Sequence, residues 1–217
     1  EIIGDHVLVS LGRRPNSKGL NLESVGVAVT KRGFVKCNKS MQTSIPNIYA
    51  CGDVVGPYQF THMAGYQAGI ILRHSIFKLQ AKVNYRTVPW VTYTRPEVAH
   101  VGLTEQMAKN EGIFKKIEKV DLTSIDRAKA DHDREGFLKF IIGKRNRLLG
   151  VTIVGQKAGE MIGIGALAVQ KKLKASEFLS MIFPYPTQSE IYKFTSLNLA
   201  KKGFKPWMKI LVKKIFL

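Results

Sequence analysis

Chemistry-bearing side chains are sparse and unevenly placed in this sequence. Gly52-Asp53 closes the short apolar stretch Ile48 to Cys51, which puts a carboxylate at the end of an expected buried strand. Taken alone, a glycine-aspartate pair after a strand is most often only a turn. Gln59, Phe60, Thr61 and His62 follow, just where a run of helical spacing begins, and His62 by itself reads as a helix-start or surface histidine. Far along the chain, PYPTQSE places the Tyr185 phenol and the Glu190 carboxylate close together. A phenol with an unperturbed pKa near ~10 is a poor base at neutral pH, against ~6.5 for an imidazole. The two cysteines, Cys37 and Cys51, are too far apart for a CxxC motif, and Cys51 reads as a small buried hydrophobe. His6, His74, His100 and His132 share neither a helical face nor a metal-ligand spacing, so no metal site is expected.

These groups need elements to hold them. Asp5 to Gly12, DHVLVSLG, reads as a buried strand closed by the loop Arg13-Arg14-Pro15-Asn16. With no helix or edge partner before it, it reads as the last strand of a sheet whose other strands lie outside this chain. Gly26 to Cys37 shows two alternating stretches around Lys31-Arg32-Gly33, the pattern of a hairpin. A helix is expected from His62 to about Leu79. Beyond Asn84 the texture changes to VPWVTYT, EVAHVGL, GFLKFIIG and LLGVTIVG, strand-like runs with polar turns and one helix opening at Thr104-Glu105. An antiparallel sheet is expected there. Helices are then expected over Ala158 to Lys172, from Ala175-Ser176-Glu177, and over Gln188 to Lys202. Within the first of these, GIGALA at 163–168 lacks a preceding strand and tight turn, so it reads as close helix packing and not as a phosphate loop.

Composition bounds the function. The chain has 217 residues, 45% of them hydrophobic, which is the balance of a folded protein and excludes disordered or fibrous classes. No apolar run reaches the ~18 residues of a membrane span and no signal peptide is visible, so a cytoplasmic location in a reducing compartment is expected. The net charge of +18 predicts attraction to anions, yet no motif or aromatic platform points to specific nucleic-acid binding.

LGRRPN at 11–16, QTSIPNIYACGDVVG at 42–56, VGQKAGEMI at 154–162 and PYPTQSE at 184–190 resemble, in this order and spacing, one family. It is the C-terminal half of the flavin-dependent pyridine nucleotide-disulfide oxidoreductases, which include dihydrolipoamide dehydrogenase, glutathione reductase and mercuric reductase. The resemblance covers all but the last dozen or so residues. It implies an α/β part of the FAD- and NAD(P)-binding domains, followed by an α+β dimerisation domain with an antiparallel sheet. The domains would be 1–14, the end of the NAD(P)-binding domain; 15–85, the C-terminal part of the FAD-binding domain; 86–203, the dimerisation domain; and 204–217, a basic amphipathic tail.

The resemblance also implies cofactors, FAD and NAD(P)H, and roles for single residues. Asp53, after Gly52, would accept hydrogen bonds from the flavin's ribityl hydroxyls. Gln59, Phe60, Thr61 and His62 would present backbone N–H groups and a helix end to the flavin ring, and Gly12 would let the nicotinamide nucleotide approach the backbone. Tyr185 and Glu190 would form a substrate wall at a homodimer interface, or Tyr185 would be a buried aromatic of the dimer seam with its hydroxyl satisfied by Glu190 or backbone. The family's GxGxxG loops and CxxxxC pair sit in the N-terminal half of its members, so either a separate N-terminal polypeptide is a partner or the chain is a remnant or piece of a longer one. Tyr185 stands where the lipoamide-type enzymes carry histidine, which argues against lipoamide-type dithiol oxidation. Mercuric reductases resemble the chain more at this tyrosine, yet no cysteine follows Cys51 to deliver a metal. The alternative reading is a noncatalytic dimerisation or membrane-docking protein.

The tail suggests a surface for that docking. Lys205, Lys209 and Lys213 recur at i, i+4 on one face, and Trp207, Met208, Leu211, Val212, Ile215 and Phe216 gather on the other. This is the pattern of a helix lying on an anionic membrane surface through residues 204–217, and equally of an apolar stripe packed on the dimer with its lysines in solvent.

Overall fold

The computed structural model describes residues 2–203 and divides into two compact units, the first ending at Asn84 and the second beginning at Tyr85. The tail helix expected over 204–217 lies outside the described residues.

The first unit is built around one helix, α1 (Thr61–Ser75). Met63, Gln67 and Ile70 fall at helical spacing on its buried side. The helix ends at Ser75, a turn before the expected Leu79, and Arg73 and His74 in its last turn suit the negative end of the helix dipole. The expected hairpin is present in reduced form. Val29 bridges Val35, the Thr30 N–H donates to Phe34 O at 2.7 Å, and the turn runs through Lys31 to Gly33. A second bridge joins Gln42 to Tyr49.

The Asp5 to Gly12 expectation is not met. The segment forms no strand, and Val7 and Leu8 are 89% and 91% exposed. A strand exists through its ladder neighbours, and none of the described residues runs beside this one.

The second unit is a sheet with helices packed against it. Its strands are β1 (Trp90–Thr92), β2 (Glu97–Gly102), β3 (Phe114–Asp121), β4 (Phe137–Gly143) and β5 (Leu148–Gly155). They pair antiparallel throughout, in the order β1-β2-β5-β4-β3. Between β2 and β3 lies α2 (Glu105–Asn110), whose Thr104 cap accepts the Met107 N–H at 3.2 Å, as expected of a threonine at a helix start. α3 (Asp126–Ala130) precedes β4. α4 (Ala158–Gln170), α5 (Glu177–Ser180) and α6 (Ile191–Gly203) follow β5.

Ala99, Val101, Leu138, Phe140, Val151 and Ile153 form the sheet side of the main core, closed by Met161, Ile162, Phe178, Ile191 and Tyr192 from the helices. Gly165 explains the GIGALA pattern: a Cβ there would stand 2.9 Å from the Tyr192 hydroxyl oxygen and 3.2 Å from Val151 Cβ. Only glycine lets α4 approach the sheet so closely. Tyr192 donates its hydroxyl to Met161 O at 3.0 Å, and burial pushes its phenol well above the usual range.

β3 is the element that alternation does not reveal. Its inward positions are Phe114, Lys116, Glu118 and Val120, so two of the four are charged. Glu118 is 2% exposed and is held by Lys202 Nζ of α6, at 2.8 and 3.0 Å from its two oxygens.

Candidate functional site

In the first unit the candidate residues gather at the start of α1. Gly52 opens a single 3-10 turn, Gly52–Val54, with φ +79, a conformation that favours glycine. A Cβ on Gly52 would come within 3.2 Å of Ala64 Cβ. Its N–H donates to the buried Gln67 Oε1 at 2.7 Å. Two turns of α1 therefore clamp the Gly-Asp corner, and the next residue, Asp53, is left exposed as an acceptor at the corner.

Phe60 is extended and caps α1, accepting the N–H groups of Met63 and Ala64 at 3.0 and 3.1 Å. Alternate side chains on the approach stack in series: Tyr58 on Phe60 at 6.0 Å between ring centroids, and Phe60 on His62 at 5.1 Å. Thr61 and His62, both exposed, occupy the first turn, where a helix has backbone N–H groups with no intrahelical acceptor and a partial positive charge. Gln59 Nε2 is buried and has no hydrogen-bond partner among the described residues. Arg13 Nη1 donates to Gln59 O at 2.5 Å, tying the LGRRPN segment to the start of the helix.

An acceptor carboxylate, a donor-rich helix start, an orphaned amide donor and aromatic rings suit a ligand with hydroxyls and a flat polar ring. A flavin is such a group. Gly12 has φ +123 and nothing within 4 Å of where a Cβ would lie. Cys37 and Cys51 are both free and half-buried, and burial pushes the Cys37 thiol up, away from the reactive thiolate.

The second unit holds Tyr185 and Glu190, and the structure gives them separate partners. Tyr185 is 72% exposed, and its hydroxyl lies 3.4 Å from Asp126 Oδ2 as donor. Hydrogen bonding to Lys129 holds the Asp126 carboxyl below its usual range, so it is the acceptor of that bond at neutral pH. Glu190 Oε2 accepts the Thr187 N–H at 3.3 Å, the reciprocal half of a capping box that starts the 3-10 turn Gln188–Glu190 ahead of α6. Beside this loop lies a cavity of about 390 Å³ lined by Arg127, Lys157, Glu160, Pro186, Thr187 and Gln188, among others. Gln188 is buried, donates to Asp133 Oδ2 at 2.9 Å, and leaves its Oε1 without a partner among the described residues.

Sequence reasoning missed Gln67 and Asp126, and it gave Arg13 of the LGRRPN segment no contact with Gln59. Gln67 had a signal, a polar residue on the apolar stripe of α1. Arg13 and Asp126 had none, because their partners stand far off in the chain.

Comparison with known proteins identifies the family. Residues 88–195 match the family described as pyridine nucleotide-disulphide oxidoreductase, dimerisation domain, and residues 1–68 match the pyridine nucleotide-disulphide oxidoreductase family. Mercuric reductase of Staphylococcus aureus is 39% identical over 201 residues, which is 92% of this chain and 37% of that protein. Mitochondrial dihydrolipoyl dehydrogenase of Caenorhabditis elegans is 40% identical over 89% of this chain and 39% of its own length. Among solved structures, LpdA from Mycobacterium tuberculosis superposes with a TM-score of 0.84 at 28% identity, covering 89% of this chain and 42% of that one. The chain thus spans about two fifths of the length of the relatives it matches. With two family matches in order along the chain, the chain belongs to the pyridine nucleotide-disulphide oxidoreductases.

Proposed function

We propose that this chain is the C-terminal portion of an FAD-dependent NAD(P)H oxidoreductase acting on a disulfide or related acceptor. Residues 1–14 end the NAD(P)-binding domain, 15–85 complete the FAD-binding domain, and 86–203 form the dimerisation domain. The observation that carries the reading is the clamped Gly52-Asp53 corner beside the start of α1. When bound, FAD relays electrons from NAD(P)H to the acceptor. The chain's own residues do the holding. Asp53 accepts from ribityl hydroxyls, and the N–H groups of the first turn at Thr61 and His62 favour negative charge on the ring. Gln59 Nε2 supplies the donor that has no partner among the described residues, and Phe60 sets the direction in which the helix starts. Gly12 keeps its backbone accessible to the nicotinamide nucleotide.

The homodimer rests on exposed apolar surface in the second unit. Ile182 is 92% exposed and Tyr185 72%, and Phe194 and Leu197 stand on the outward side of α6. Surface of this kind is the material of an obligate interface. Tyr185 serves as a wall toward the acceptor, with its hydroxyl steadied by Asp126 and not by Glu190. Tyr185→Phe is expected to lower turnover while the dimer stays intact. Contact of residues 204–217 with an anionic membrane rests on their sequence alone, and co-sedimentation with anionic and neutral vesicles tests it.

The visible spectrum tests the main reading. The isolated chain has a ribityl contact and a helix end but no pyrophosphate loop, so it is expected not to retain FAD. Adding the N-terminal half is expected to restore the flavin absorbance. Failure of the reassembled pair to bind FAD would favour the noncatalytic dimerisation reading.

A further inference from the structure

We propose that the first unit carries a binding site for an oligophosphate anion, in the cavity between the Arg13–Lys18 loop and the Thr30–Phe34 turn. This goes beyond the flavin and nicotinamide reading and does not depend on it. The cavity measures about 590 Å³, and the side chains around it include Arg13, Arg14, Lys18, Lys31 and Arg32. Among the described residues, no aspartate or glutamate lines it. None of the five cations forms an ion pair among the described residues, whereas Lys109, Arg127, Lys129 and Lys202 of the second unit each have a carboxylate partner. Like charges gathered without counter-charge repel one another, and a bound polyanion relieves that repulsion.

The walls are held in place before any ligand arrives. The Ser17 hydroxyl donates to Gly33 O at 2.6 Å and pins the loop to the turn. The turn is closed by Gly33 N–H donating to Thr30 O at 2.9 Å and by Phe34 N–H donating to Thr30 Oγ1 at 3.1 Å. Phe34 packs so tightly that a Cβ on Gly56 would come within 3.2 Å of its ring, and Arg32 lies over the same ring at 5.8 Å. Arg13 is tied by one nitrogen to Gln59 O, which leaves its remaining N–H groups for the cavity rim.

Charge and size choose the ligand class. Three guanidinium forks match phosphate oxygens bidentately, and Lys18 and Lys31 add compact point charges. The volume falls in the ~300–1,000 Å³ range of small-molecule sites, which is more than one inorganic phosphate needs. A chain of phosphates engages all five cations at once, as a single carboxylate or phosphate cannot. The chemistry is shared by inorganic oligophosphate and by the triphosphate of a nucleotide.

Isothermal titration of the full chain tests the site, with tripolyphosphate, ATP and AMP as probes. Tripolyphosphate is expected to bind at one site and AMP at least roughly ten-fold more weakly, because it offers one phosphate to the same cations. ATP binding tighter than tripolyphosphate identifies a nucleotide as the source, and ATP binding equal or weaker identifies free oligophosphate. Arg32→Glu and the milder Arg32→Gln are each expected to weaken tripolyphosphate, by roughly ten-fold or more for the charge reversal. Lys82→Glu, which changes net charge equally from outside the cavity, is expected to leave affinity within about two-fold. Equal weakening by Lys82→Glu and Arg32→Glu, or no saturable binding of tripolyphosphate by the folded chain, would overturn the proposal. Unchanged binding in Arg32→Gln and Arg14→Gln, with circular dichroism like that of the parent, would also overturn it.

Discussion

The Gly52 N–H and the Gln67 side-chain oxygen meet at 2.7 Å in the interior of the first unit, joining the corner before Asp53 to the second turn of α1. A buried backbone donor must be paired, and here the pairing also sets where the following carboxylate stands. Gln67→Leu keeps the side chain's bulk and removes the acceptor. It is expected to destabilise the unit by about 1–3 kcal/mol and to lose hydrogen-exchange protection at the Gly52 amide. Unchanged protection at that amide would separate Gln67 from the corner.

Asp53 and Cys51 are two residues apart and are expected to differ sharply. In the reassembled enzyme Asp53→Ala removes a charged acceptor and should release most of the flavin, whereas Cys51→Ala removes a half-buried small group. Flavin-to-protein absorbance ratios after gel filtration measure this. Equal retention in the two variants would count against the ribityl role.

Glu118 gives β3 a buried carboxylate whose partner, Lys202, lies at the end of α6. Lys202→Met leaves that carboxylate without its cation and is expected to cost about 1–3 kcal/mol, below the usual figure for a fully buried pair because the lysine side chain is largely exposed. Glu118→Leu in the Lys202→Met background should recover much of the loss, since an apolar residue suits that inward position. Additive losses in a double-mutant cycle of chemical denaturation would show the pair to be uncoupled.

His100 is buried in β2 between Trp90, Thr152 and Gly102. Burial lowers its pKa, and its neutral form satisfies both ring nitrogens: Nε2 donates to Gly102 O at 3.1 Å and Nδ1 accepts from Thr152 Oγ1 at 2.9 Å. The unfolded chain binds a proton near pH ~6.5 and the folded chain only at lower pH. Stability is therefore full above about pH 6.5 and falls as pH drops toward the lowered folded pKa. His100→Gln should flatten the stability profile in that acid window while changing little at pH ~8. An identical pH slope in the variant would place the acid sensitivity elsewhere.

The sequence by itself determined the elements whose signals are local. Thr104 marked the start of α2, the strand-like runs EVAHVGL and LLGVTIVG marked β2 and β5, and the small residues of α4 announced close packing that Gly165 provides. Gly52-Asp53 and the Gln59 to His62 segment were legible as candidates through the family resemblance, since they lie in or just after the QTSIPNIYACGDVVG motif.

What the tertiary structure decided depends on groups that meet across long separations. Val7 to Leu11 has the residues of a strand but none of the described residues as a ladder partner, so it stays extended and exposed. β3 hides its period because the charge at Glu118 is admissible only once Lys202 arrives from α6. Tyr185 looked as though it would pair with Glu190 nearby, yet Glu190 is taken by the Thr187 N–H at the approach to α6 and the phenol turns to Asp126. The cationic cavity is likewise invisible in linear order, because Arg13 to Lys18 and Lys31 to Arg32 become one site only when the Ser17 hydroxyl docks on Gly33. Local propensity reports what a residue prefers among its chain neighbours, and a buried charge or a shared cavity is permitted only by the partner that folding brings to it.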